Sequence, residues 1–150
     1  MREDLLAARP SPIPDEESEP FFQAASGSEL LLRVCSACDI ITWPIAGYAT
    51  CQNCWTPGLG WKPVSGRGVV YSVTRVHTVP KDDDPAWPPF ALGIVDLVEG
   101  ARSQIVGLLS PEDTPIKVGD PVHATFHLTR EGVVVPWFTV STEPANSSNL

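Results

Sequence analysis

The chain is expected to be mainly β: a short helical arm, a small metal-stapled ribbon, then a five-stranded barrel. Three observations predict this. The four cysteines of the 150-residue chain fall into two Cys-x-x-Cys pairs, Cys35/Cys38 and Cys51/Cys54, twelve residues apart. From Gly66 onward, runs of strand-forming residues with period-two patterning are separated by turn residues. Helix-period patterning is confined to a few residues near the N-terminus.

Residues 1–29 form an acidic arm with a short helix. Residues 1–30 hold seven acids against Arg2 and Arg9. Residues 9–20, RPSPIPDEESEP, carry four prolines and are expected to run extended. Ser18 then suits an N-cap, Pro20 the first turn, and Gly27 the end of a helix bearing Phe21, Phe22, Ala24 and Ala25. Phe21 and Phe22 can share one apolar face. That face either packs on the chain's own body or docks on another subunit.

Residues 30–62 read as the ribbon. Leu30, Leu32 and Val34 alternate into the first knuckle. Ile40 to Trp43 lead away, and Pro44 ends that strand. Trp55 and Trp61 flank the second knuckle and are expected to cover the ribbon's small core. The cysteine spacing suits two turns that aim four thiolates at one tetrahedral ion. A structural Zn²⁺ is the expected cofactor, with Cys35, Cys38, Cys51 and Cys54 as ligands. Such a site contributes roughly 10–16 kcal/mol to the folding of a unit too small to hold itself together. Four thiolates also suit iron. Disulfides need an oxidising compartment, and residues 1–8, MREDLLAA, do not read as a secretory leader. A redox pair needs one Cys-x-x-Cys near a βαβ pattern, which is not seen. Four cysteine ligands leave no open position for a catalytic water.

Residues 63–142 are expected to form the barrel. In its first strand Val69, Tyr71 and Val73 face one way, and Val70, Ser72, Thr74 and Val76 the other. A turn-rich segment, Pro80 to Pro89, precedes the second strand, Phe90 to Val98. Glu99-Gly100 turns into the third, Gln104 to Leu109. A longer connection ends in Val118-Gly119-Asp120-Pro121. The fourth strand places Val122, Ala124, Phe126 and Leu128 opposite His123, Thr125 and His127. Arg130-Glu131-Gly132 turns into the fifth, Val133 to Val140. Five strands with little helix fit an OB-fold. Residues 143–150 are expected to be a disordered tail.

The order and spacing of several fragments resemble one family, the acyl-CoA-associated OB-fold proteins with an N-terminal rubredoxin-like zinc ribbon, first known as a domain of unknown function. The fragments are Pro20-Phe21-Phe22, Leu30 to Cys35, Trp61 to His77 with Ser65-Gly66-Arg67-Gly68, Pro89-Phe90 to Arg102, and Val118 to Val122. The likeness runs over roughly residues 20–140. One departure stands out. The family often has a basic residue after the proline between the knuckles, whereas Pro44 here is followed by Ile45, Ala46 and Gly47. The resemblance implies a partner subunit of a thiolase-like enzyme acting on acyl-CoA substrates in lipid, steroid or polyketide-type metabolism, in a two-plus-two heterotetramer. It makes Phe21, Phe22, Trp61, Arg67, His77, Phe90 and Arg102 candidate ligand or partner contacts.

Other functions are weighed by chemistry. An independent acyl-CoA or acyl-carrier binder needs cations for phosphates, and Lys62, Arg67, Arg75 and Arg102 are available near the ribbon–barrel junction. An enzyme needs a nucleophile or base. The cysteines are committed, no serine lies in a nucleophile-elbow motif, and His77, His123 and His127 remain. His123 and His127 are expected to face solvent. Asp82 to Asp84 read as a solvated loop. The net charge of −8, with ten Lys and Arg and no basic cluster, argues against nucleic acid. No run approaches the length of a membrane span, so a cytoplasmic, non-membrane protein is expected.

Overall fold

The computed structural model describes residues 11–42, 50–76, 90–99, 104–109 and 116–142. Among the described residues it is mainly β, with one helix. Helix α1 (Glu19–Ser26) leads into a three-stranded sheet of β1 (Leu30–Cys35), β2 (Ile41–Thr42) and β3 (Leu59–Val64). Strands β4 (Arg67–Val76), β5 (Phe90–Leu97), β6 (Gln104–Leu109), β7 (Pro121–Leu128) and β8 (Val134–Val140) follow. Among the described residues no helix is long and apolar enough to cross a membrane.

Ser18 does precede α1 and Pro20 does sit in its first turn. The Ser18 hydroxyl does not cap the helix, however; it bonds back to the Asp15 carboxylate at 2.5 Å, while the Ser18 N–H donates to the same carboxylate. The loop before the helix is thereby fixed by its own side chains. At the other end Gly27 is the cap, but the left-handed residue is Ser28, with φ +60°. Glu29 N–H reaches the Ala24 carbonyl and Ser28 N–H the Ala25 carbonyl, which makes a Schellman ending.

The ribbon sheet has the order β2-β1-β3, with both neighbours antiparallel to β1. Strand β3 is not legible as a strand, because Gly60 and Pro63 both disfavour one. It lies at the sheet edge, where a proline is tolerated.

The five later strands close into a barrel of order β4-β5-β6-β8-β7, with β7 returning to β4. This is an OB-fold. The β6–β8 contact is parallel and the rest are antiparallel. Two glycines let β4 approach its neighbours. A Cβ on Gly68 would lie 2.4 Å from the Asp96 carbonyl oxygen. Gly66 has φ +68°, and a Cβ there would lie 2.7 Å from the Cβ of Ala124.

Simple alternation along β4 does not hold. The register with β5 slips between Val70 and Ser72, so Tyr71 is the extra residue of a bulge. Val70 is buried and Val73 packs on the same core, three residues on, while Tyr71 is 57% exposed. An unbroken strand would have put Val70 and Val73 on opposite faces.

Helix, ribbon and barrel share one core. Phe21, Leu30, Leu32 and Ile41 cluster with Val70, Val95, Leu97, Val122 and Phe138. The Phe21–Phe22 face therefore packs on the chain's own body, with the rings edge to face at 5.2 Å. Leu128, expected inside, is exposed at the end of β7.

Candidate metal centre

The two Cys-x-x-Cys turns fold to the same local geometry. In the first, Ala37 N–H donates to Cys35 Sγ at 3.4 Å, Asp39 N–H to the Cys35 carbonyl at 2.9 Å, and Cys35 N–H to the Ile40 carbonyl at 3.0 Å. In the second, Asn53 N–H donates to Cys51 Sγ at 3.4 Å, Trp55 N–H to the Cys51 carbonyl at 2.8 Å, and Cys51 N–H to the Thr56 carbonyl at 2.9 Å. The residue after each second cysteine is left-handed: Asp39 has φ +54° and Trp55 φ +61°. The knuckles are thus a structural repeat that composition alone does not reveal.

The knuckles face each other across the ribbon. Cys35 Sγ lies 3.5 Å from Cys54 Sγ, Cys38 Sγ lies 3.6 Å from Cys51 Sγ, and all four sulfurs fall within 4.8 Å of one another. A tetrahedral Zn²⁺ with sulfur at about 2.3 Å needs S···S edges of about 3.8 Å. The donor set and its spacing fit such an ion, and the sulfurs are free thiols rather than disulfides. Four ligands complete the coordination, so the chemistry such an ion supplies is structural.

The surroundings divide the four sulfurs. Thr56, through its hydroxyl 3.2 Å from Cys54 Sγ and through its backbone, holds Cys54 down to about 6. Backbone N–H groups of Cys54 and Asn53 lower Cys51. For Cys38 the Ile40 N–H lowers the value, but burial and the three neighbouring thiols outweigh it and push it up to about 11. The two lowered thiols, Cys51 and Cys54, both belong to the second knuckle. Asn53 Nδ2 also lies 3.8 Å from Cys38 Sγ, which links the knuckles. Sequence reasoning missed Asn53 and Thr56. The signal was available only as their positions two residues after Cys51 and Cys54.

Of the remaining candidates, Phe21, Phe22 and Trp61 belong to or pack against the shared core cluster, and Arg67 and Phe90 stand at the starts of β4 and β5. Phe21 is buried in the shared core and Phe22 is half-buried beside it. Trp61, half-buried on β3, lies under the Arg33 guanidinium at 4.9 Å. Arg67 is exposed at the start of β4, in register with His123. Phe90 opens β5 opposite Val76. Lys62 pairs with Asp39 at 3.8 Å. His77, Asp82 to Asp84 and Arg102 lie outside the described residues, as do residues 1–10, 43–49 and 143–150. Two expectations change. Trp55 does not cover the ribbon; it is 76% exposed. His127 does not simply face solvent; its ring lies 4.9 Å from that of Trp137, and Nε2 is 2.9 Å from Thr125 Oγ1.

The family model for the C-terminal OB-fold domain of ChsH2 matches residues 61–127. A DUF35 domain-containing scaffold protein of Methanothermobacter thermautotrophicus is 33% identical over 100 residues, covering 65% of this chain and 71% of that protein. The chain belongs to the DUF35 family. A probable enoyl-CoA hydratase alpha subunit of Thermomonospora curvata is 29% identical over 117 residues, which is 77% of this chain. The chain spans about a third of that relative's length, 35%. Among solved structures, a chain of the Ltp2-ChsH2(DUF35) aldolase superposes with a TM-score of 0.68 at 23% identity, covering 87% of this chain and 98% of that one. That likeness bears on the fold.

Proposed function

We propose that this chain is a non-catalytic accessory subunit that binds and completes a thiolase-like enzyme acting on acyl-CoA substrates. The observation that carries the reading is the combination of a four-cysteine cluster whose spacing suits a structural metal and a closed barrel sharing one core, in a DUF35 chain with no cysteine outside that cluster. The names of the relatives support it: two are an archaeal scaffold protein and a probable hydratase subunit, and the superposed chain comes from an aldolase named with its DUF35 component. On this reading Zn²⁺ holds the ribbon and catalysis belongs to the partner. The complex is a cytoplasmic two-plus-two heterotetramer in lipid or steroid metabolism, with the ribbon–barrel junction near the acyl-CoA.

Co-production with the thiolase-like subunits of the source organism tests it. The expected result is a stable heteromeric complex whose turnover exceeds that of the partner alone. A chain that stays monomeric beside a fully active partner overturns the proposal.

A further inference from the structure

Residues 40–61 contain no Asp, Glu, Lys, Arg or His. A chain that is 19% charged would place about four charged residues in 22 positions. The same stretch holds Trp43, Trp55 and Trp61, three of the five tryptophans, and Tyr48. Charge depletion with tryptophan and tyrosine enrichment marks the core of protein–protein interfaces. Composition alone is also met by a buried segment, so the position of the aromatic groups decides.

Trp55 is the group that stands out. At 76% it is the most exposed of the described tryptophans and, among the described large apolar side chains, second only to Ile13 at 93%. Its left-handed backbone is one that glycine occupies at no steric cost and a bulky residue rarely adopts. The equivalent position of the other knuckle holds Asp39, a residue type that tolerates this conformation. Trp55 therefore neither fills the core nor suits its backbone. It projects from the knuckle, flanked by the exposed Pro57 and Gly58 and the half-buried Leu59.

The electrostatics select the occupant. Zn²⁺ with four thiolates leaves a charge of about −2. Cys54, the outermost sulfur, immediately precedes Trp55. Lys62, the first cation after the uncharged stretch, is drawn to Asp39. The second knuckle, residues 51–58, has no charged side chain of its own, so its charge would be that of the thiolates, and its prominent group is an indole face. A surface that complements it is apolar and carries an arginine or lysine, which gains both from the thiolate charge and from a cation–π contact.

We infer that the second knuckle, with Trp55 as its anchor, is the surface that docks on the thiolase-like catalytic subunit, against an apolar patch bearing a basic residue. This rests on the accessory-subunit reading and names the face that reading leaves open. The barrel's exposed aromatic, Tyr71, is held outward by the bulge on β4 and serves as the comparison.

The experiment measures the dissociation constant between the zinc-loaded chain and each thiolase-like subunit of the source organism, by calorimetry, for wild type, Trp55→Gly, Trp55→Phe and Tyr71→Ala. Trp55→Gly is chosen because it suits the backbone, and its zinc content is checked by metal analysis. The expected result is weakening of about tenfold or more for Trp55→Gly at unchanged zinc content, a smaller loss for Trp55→Phe, and a change within about twofold for Tyr71→Ala. If wild type binds and Trp55→Gly binds within about twofold of it, the docking assignment falls while the accessory role stands. Equal weakening by Tyr71→Ala also overturns the assignment. If wild type itself does not bind, the accessory role fails and takes this inference with it.

Discussion

Replacing Trp55 by glycine should leave the stability of the zinc-loaded chain almost unchanged, an unusual outcome for a tryptophan. The left-handed backbone at φ +61° costs an L-residue about 1–2 kcal/mol, which glycine recovers. Against this stand two losses. The side chain is 76% exposed, so about a quarter of its area is buried. Taking roughly 50 Å² at about 25 cal/mol per Å² gives about 1.3 kcal/mol. Glycine also loses more backbone entropy on folding, about 0.5–1 kcal/mol. The contributions cancel to within about 1 kcal/mol. Urea unfolding followed by far-ultraviolet circular dichroism, at fixed zinc, measures the difference. A loss above about 2 kcal/mol would refute the reasoning, because it would mean that the indole holds the ribbon together. Asp39→Gly is the matched control. It relieves the same backbone but gives up the Lys62 contact at 3.8 Å, a surface pair worth about 0–1 kcal/mol.

Gly68→Ala should destabilise by about 3 kcal/mol or more, because its Cβ meets the Asp96 carbonyl at 2.4 Å and backbone must move; an unchanged urea midpoint would contradict the packing of β4 on β5. Ser28→Gly should stabilise by about 0.5–1 kcal/mol, since Ser28 holds the left-handed position of the Schellman ending, and thermal melts read the gain. Asp15 is held below its ordinary value by the Ser18 hydroxyl and N–H, and Glu131 by the Ser11 hydroxyl. A carboxylate depressed in the folded state adds stability above its unfolded value that is lost as pH falls through the folded value. The Ser11–Glu131 and Asp15–Ser18 ties should therefore loosen below about pH 4, and Asp15→Asn should abolish the Asp15 part; carboxylate titrations by nuclear magnetic resonance test this. Removing metal with a chelator should lower the melting temperature of the whole chain in one transition, because Leu30, Leu32 and Ile41 of the ribbon pack with barrel residues; an unchanged calorimetric trace would separate the metal from the core.

The metal site was legible because it is local. Each Cys-x-x-Cys turn makes its own bonds, and only the meeting of the two turns needs the tertiary fold. The barrel strands were legible because each is long enough for alternation to speak. What escaped depends on neighbours distant in sequence. Strand β3 exists because β1 supplies a partner, although Gly60 and Pro63 argue against it. The bulge at Tyr71 is a property of the β4–β5 register, invisible in β4 alone. Leu128 is exposed although Thr129 beside it is buried, and Trp137 of β8 offers His127 a ring that β7 alone does not reveal. Ser18 looked like a helix cap by position, but Asp15, three residues earlier, competes for its hydroxyl.

The shared core bears on how the chain can work. If ribbon and barrel were separate modules on a linker, each would bind its own target and their relative placement would matter little. Here the helix, the ribbon sheet and the barrel bury side chains in one cluster, and only Ser65-Gly66 separates β3 from β4. A metal that fixes the knuckles would therefore also fix where they stand relative to the barrel. Trp55 is held at a set distance from the Arg67 end of β4 by packed structure rather than by a tether. Such a body can present two surfaces at once in fixed geometry to a larger partner, which is what an accessory subunit must do to complete another protein's site. The consequence is testable through metal loss. Stripping zinc should weaken partner binding even where the contacts removed belong to the barrel, because the ribbon's share of the core goes with it.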